Sequence, residues 1–313
     1  MPKLAPPQDA VSVIAQEFKV KESFTLTAEV SGARTRLRPS SEPDRVEITI
    51  SVSGCPAHRA EDILDRMQVG TRQMKDTIRV YSQCDPSQAE WWRWVRTLDV
   101  TVHLDIQIPT HVDAEIRAPG GSIDAADLSG NITLKPMGSP CRAENLQGTL
   151  NVRAESSEVS ILGFSGERLD ARVASGALSV KDVETDTLIL HSVAAPMTVT
   201  NASGETEITA NGTAVDIKSL SGPSTAHIQG GKLTYEAAPT EPIDLTVVGS
   251  TLDALLPSDL NADLKLSGGT VFLADSFAFE GDRTDQNVEG QLNKGGPSVK
   301  LTAIRGDARC KAS

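Results

Sequence analysis

LSGNITLKPMGSPCRAENLQGTLNVRAESSEVSILGFSG, residues 128–166, carries one short pattern twice and opens it a third time. Leu128, Leu146 and Phe164 each stand two residues before a glycine, Gly130, Gly148 and Gly166, at a spacing of 18. After Gly130 come the apolar pairs Ile132/Leu134 and Cys141/Ala143; after Gly148 come Leu150/Val152 and Val159/Ile161. Members of a pair are two residues apart, so both side chains leave one face of a β-strand.

The pattern continues outward. Ala202-Ser-Gly204 and Leu220-Ser-Gly222 repeat it, and the 38 residues between Gly166 and Gly204 divide as 19 and 19 around Thr185. In these longer repeats every apolar position moves by one, through Leu169, Ala171, Leu178, Val180 and Val183. The added residue therefore sits at the bend after the glycine. A second set of glycines (Gly120-Gly121, Gly138, Gly176, Gly212, Gly230-Gly231, Gly249, Gly268-Gly269, Gly295-Gly296) divides each repeat, as expected where a chain turns back on itself. Val299, Leu301, Ile304 and Gly306 read as a last repeat in the original phase, and Phe277-Ala278-Phe279 as an irregular excursion before it.

A single repeat cannot bury its own apolar pairs, whereas stacked repeats bury them continuously. The expected fold is all-β: a parallel β-solenoid, or single-stranded β-helix, of 18–19 residues per coil over 111–313. A 3.6-residue helical stripe is incompatible with period-2 pairs and frequent glycine. Residues 11–110 read as a small, mainly β N-terminal domain capping the first coil, with 1–10 a disordered tail. Alternation at Phe24/Leu26/Ala28, Val46/Ile48/Ile50, Ile78/Val80 and Val100 to Ile108 marks its strands, and His58 to Val69 a short amphipathic helix.

Composition limits function. The formal net charge is −12. Residues 1–110 contain 14 basic and 15 acidic side chains, so the acidity lies almost wholly beyond them. A phosphate backbone would be repelled, which argues against nucleic acid. Cys55, Cys84, Cys141 and Cys310 lack the short paired spacings of a zinc site, and a Cys55–Cys84 disulfide stays open. No segment is long and apolar enough to span a membrane as a helix. The start of the chain lacks a signal peptide's apolar run, so the chain as encoded is expected in the cytoplasm, or in the cell envelope if its N-terminus were trimmed.

FTLTAEVSGARTRLRP (24–39), IQIPTHVDAEI (106–116), repeats ending in LSG or LQG, and the closing LNKGGPSVKLTAIRGDAR (292–309) resemble the bacterial putative-adhesin family of β-strand-repeat proteins, a domain-of-unknown-function family. The resemblance implies a solenoid fold and a surface or interaction role, and it supplies no catalytic residue.

The residues point the same way. Asp124, Asp127, Asp182, Asp186 and Asp216 are the carboxylates that a sugar-cleaving β-helix would use, but they do not occupy one stacked position. The five histidines, His58, His103, His111, His191 and His227, show no ligand spacing. No catalytic, cofactor or metal residue is assigned, and the expectation is a non-enzymatic, adhesin-like protein. Its partner would be an unidentified protein or polysaccharide, with self-association a further option. The alternatives are a carbohydrate-binding or carbohydrate-cleaving β-helix and a scaffold polymer. One candidate contact patch stands out: Trp91, Trp92, Arg93 and Trp94, an aromatic-cationic cluster that reads either as an interaction surface or as a buried seam between domains.

Overall fold

The computed structural model describes residues 10–21, 23–83 and 100–313. The described chain is all-β, with 22 strands and one helix, and strands of successive repeats run parallel. It divides into two compact units, 1–158 and 159–313.

In the first unit the strands are β1 (Val11–Lys19), β2 (Thr25–Glu29), β3 (Ala33–Pro39), β4 (Arg45–Ser53), β5 (Gly70–Met74), β6 (Thr77–Tyr81) and β7 (Thr101–Ile108). They are followed by β8 (Asp113–Pro119), β9 (Ile123–Ala126), β10 (Ser129–Met137), β11 (Cys141–Glu144) and the start of β12 (Gln147–Val193). Gly130 lies opposite Gly148 on adjacent parallel strands, and Leu134 opposite Val152. Going back one repeat, Ile132 lies opposite Ala114, and Cys141 opposite Ile123. The early strands join the same ladders. β2 runs parallel to β8 with Leu26 opposite Ala114, and β3 parallel to β9 with Thr35 opposite Ile123, both at an offset of 88 residues. Residues 25–39 thus supply one more level of the stack. Beyond them β6 and β7 add parallel strands, while β5, β4 and β1 pair antiparallel and end the ladders.

The helix α1 (Ala57–Met67) buries Ala60, Ile63, Leu64 and Met67, an i, i+3, i+4, i+7 stripe facing the core. Pro56 precedes it, and Gln68 ends it in the left-handed region at φ 48°.

The second unit holds the rest of β12, then β13 (Met197–Asn211), β14 (Val215–Ser221), β15 (Ser224–Gln229), β16 (Leu233–Glu236), β17 (Ile243–Val248) and β18 (Leu252–Leu256). It ends with β19 (Ala262–Leu273), β20 (Phe279–Arg283), β21 (Asn287–Leu292) and β22 (Ser298–Ala312). Two ladders result. One contains Leu190, Ile208, Ala226, Leu245 and Leu301 as an inward row of successive partners. The other contains Val180, Val199, Ile217, Tyr235 and Ala254. Offsets are 18 or 19 until Ile243, whose next partner is Val299. Within the intervening segment β18 stays in its ladder between β16 and β22, and β19 runs parallel to β22 on both ladders, while β21 and then β20 pair antiparallel beyond β19. Phe277 to Phe279 lie in that segment.

One reading of the repeat needs correction. Val299 and Leu301 are buried, but Ile304 is 48% exposed. Because Val299 pairs with Ile243, this stretch is the first strand of a level; Ile304 lies opposite Val248, before the other bend. The phase is therefore displaced by half a repeat. Gly268 and Gly269 do stand at a bend, between Leu264 and Leu266, which pair with Val299 and Leu301 on one ladder, and Val271 and Leu273, which pair with Ala308 and Cys310 on the other.

Tyr235 is fully buried, and its hydroxyl has no hydrogen-bond partner among the described residues. Burial pushes its phenol pKa upward. An unpaired buried hydroxyl carries a desolvation cost without a compensating bond. Tyr235→Phe should therefore raise unfolding stability by about 1 kcal/mol, read as a higher denaturation midpoint.

Candidate functional site

The bends explain which polar groups are tied up by the fold. Asp127 and Asn145 occupy one bend column of the first unit at φ 59° and 51°, and Asp182 and Asn201 one in the second unit at 54° and 52°. Asp and Asn tolerate this left-handed conformation better than other non-glycine residues. The column also forms rungs: the Asn145 amide donates to Asp127 (3.0 Å), and the Asn201 amide to Asp182 (2.7 Å). Each bend residue is followed by a buried apolar one, Leu128, Leu146, Val183 or Ala202. The alternation was read from the sequence, but this Asx column was missed. Its signal was there: Asp, Asn, Gly, Asp, Asn and Ser recur three residues before each corner at 127, 145, 163, 182, 201 and 219.

The other candidate carboxylates are dispersed. Asp124 pairs with Arg38 at 2.5 Å, and Arg38 also donates to the Asp124 carbonyl. Asp216 points outward from β14 between Thr198 and Thr234. Asp186 lies where the β12–β13 register shifts. His103 is buried with its ring 2.9 Å from the Ser53 hydroxyl, while His111 is exposed and lies 3.3 Å from Ser129. Among the described residues no three His, Cys, Asp or Glu side chains gather as a metal site. Cys55, Cys141 and Cys310 are free thiols; burial pushes the pKa of both Cys141 and Cys310 up to about 12, leaving almost no thiolate at neutral pH. Cys84 and the contact patch Trp91, Trp92, Arg93 and Trp94 lie outside the described residues.

One feature of the second unit can receive a ligand. The outward side of β12, β13, β15, β17 and β22 carries the row Ile189, Glu207, Thr225, Asp244 and Lys300, each opposite the next on neighbouring strands. The row after it is His191, Thr209, His227, Thr246 and Thr302. A groove of about 550 Å³ follows the first row, with Pro223 and Pro242 along its lip and Glu205 beside Glu207. Lys300 is neutralised by Asp244 at 2.7 Å. The groove is thus hydroxyl-rich and acidic, with Ile189 as an apolar spot.

On the other ladder of that unit Asp253 is buried, 2.8 Å from Lys232 and 3.7 Å from Lys311. Burial, the largest influence, pushes its carboxyl pKa upward, but the Lys232 bond and the charges of Lys232, Lys311 and Arg309 outweigh it and hold the group below its usual value. A carboxyl lowered on folding contributes stability above its unfolded pKa and loses it as pH falls through the folded one. Acid denaturation followed from pH 7 down to about pH 2 should show this loss in the wild type. The Asp253→Asn variant should be less stable at neutral pH and have a flatter acid limb.

The outward side of the first unit is ionic. Glu115 accepts from Lys135 (2.7 Å) and Arg117 (2.9 Å), and these two bonds, first Lys135 and then Arg117, lower its pKa. No described helix is long and apolar enough to cross a membrane.

Comparison with known proteins gives the chain a family. No curated protein matches it. Among solved structures, a "putative adhesin" from Parabacteroides merdae is 11% identical, with 97% of this chain and 96% of that one covered, at a TM-score of 0.44. A "putative adhesin" from Bacteroides fragilis is 12% identical, with 98% and 99% covered and a TM-score of 0.34. A "putative cell adhesion protein" from Clostridium sporogenes is 10% identical, with 96% and 99% covered and a TM-score of 0.23. The family model described as Toastrack DUF4097 matches residues 26–309, and by that match the chain belongs to the Toastrack DUF4097 family.

Proposed function

We propose that this protein is a non-enzymatic, adhesin-like interaction module, built as a single-stranded parallel β-solenoid of 18–19 residues per coil. The solenoid reading is supported by the register: partners recur at offsets of 18 or 19 on both ladders, with polar side chains outward and aliphatic ones inward. A stack of this kind offers a regular outer surface on which a binding row is repeated at each level.

The observation that carries the functional reading is the open groove along Ile189, Glu207, Thr225, Asp244 and Lys300. Apart from Ile189 its side chains are polar, and they are held on paired strands, so they present hydrogen-bonding groups at the strand spacing of about 4.8 Å. The aspartates closest in type to a catalytic pair serve bend rungs or ion pairs instead, as Asp127, Asp182 and Asp124 do. An extended polymer, polysaccharide or polypeptide, fits such a surface better than a compact substrate does.

The test is a binding screen of the purified protein against neutral and acidic polysaccharides and extended polypeptides, with and without calcium. Reaction mixtures are assayed for reducing and unsaturated ends. Binding weakened at least ~10-fold by Thr225→Trp, with no ends released, supports the reading. Release of ends would replace it with a carbohydrate-cleaving enzyme.

A further inference from the structure

Cross-strand neighbours of like charge destabilise a β-pair unless a counter-charge answers them. Among the like-charged cross-strand pairs, which also include Glu17/Glu47, Lys19/Arg45, Arg117/Lys135 and Lys265/Lys300, two of opposite sign each lie on a ladder-ending hairpin. In the first unit Arg72 of β5 lies directly opposite Arg79 of β6. Among the described residues neither has a carboxylate partner; Arg79 instead rests over the Tyr81 ring at 5.8 Å, beside Met74, which is 49% exposed. In the second unit Asp282 of β20 lies directly opposite Glu289 of β21. Lys265 answers Glu289 at 3.3 Å, and among the described residues Asp282 has no cation.

Both hairpins end their ladders: β5 pairs only with β6, and β20 only with β21, among the described strands. The surrounding charge has the same sign as each pair. Residues 70–81 carry Arg72, Lys75 and Arg79 against Asp76, whereas 275–292 carry Asp275, Glu280, Asp282, Asp285 and Glu289 against Arg283. Arg, Tyr and Met are also the residue types enriched at interaction centres.

We propose that these hairpins are complementary ends: the Arg72/Arg79 hairpin of one copy docks on the Asp282/Glu289 hairpin of a second copy. The contact is heterologous, because the two surfaces differ, so the dimer keeps one unused hairpin of each kind and association continues beyond it unless it closes into a ring. It adds a partner to the interaction role proposed above and does not depend on the groove.

Charge reversal tests it in the full chain by sedimentation velocity at several protein concentrations, in about 20 mM and about 500 mM salt. Wild type should associate at low salt and dissociate at high salt. Arg72→Glu/Arg79→Glu and Asp282→Arg/Glu289→Arg should each be monomeric, with association weakened at least ~10-fold, because each then has two like-charged ends. Mixing the two variants should restore association, since every contact in the mixture joins opposite signs. Circular dichroism confirms that each variant is folded. A wild type that stays monomeric throughout, variants that associate like wild type, or folded variants whose mixture stays monomeric would each overturn the proposal. So would a monomeric wild type retained on heparin through Arg72 and Arg79, which would make their partner an anionic polysaccharide.

Discussion

Gly204→Ala is expected to destabilise the protein by about 4 kcal/mol, enough to leave little folded population in a domain of ordinary stability. Gly204 has φ 131°, and a Cβ built there would stand 1.9 Å from the Thr185 carbonyl oxygen, on the level before it. Backbone and backbone are in contact, so no flexible side chain can yield. Two costs add: the strained φ, and the separation of two strands whose hydrogen bonds depend on their distance. Gly212 supplies the control. Its φ is 65°, and a Cβ there meets nothing within 4 Å, so Gly212→Ala should cost only about 1 kcal/mol, the intrinsic penalty of the left-handed region. Urea denaturation of the two variants separates these terms. Equal midpoints would mean that close backbone approach at the Gly204 column is not what holds neighbouring levels together.

Leu245→Ala should cost about 3–5 kcal/mol. Leu245 is fully buried in the inward row between Ala226 and Leu301. Truncation places two alanines side by side, and the neighbouring strands cannot close the space because their separation is set by the backbone ladder. The cavity therefore persists, and its lining loses its dispersion contacts. Leu255, on the outward side of β18 beside Glu236, is only half-buried, so the same substitution there should cost about 1 kcal/mol. The same measurement decides: if Leu245→Ala were as mild as Leu255→Ala, the interior would be loosely packed rather than layered.

Parallel pairing of Gly130 with Gly148 and of Ile132 with Leu150 was legible because strand alternation has a period of two and the bends recur at fixed spacing. Either regularity alone is weak; together they allow only one register. The Asx column at 127, 145, 182 and 201 escaped because attention to glycine hides the other residues that adopt positive φ. Arg72 opposite Arg79 escaped for a different reason. Six residues lie between them, and only the turn at Lys75, in the left-handed region at φ 54°, brings them face to face.

The sequence by itself determined the all-β class, the repeat length and most of the inward residues. These follow from local rules, alternation and bend chemistry, acting within each repeat. Tertiary structure alone decided that residues 25–39 form a further level of the stack, that β19 lies parallel beside β22 with β21 and β20 antiparallel beyond it, and which outward residues share a row. Leu26 and Ala114 meet across 88 residues, and Ile243 and Val299 across 56, through backbone hydrogen bonds that any pair of strands can make. Such bonds carry no residue code, so the choice among partners is made by how all the layers pack at once.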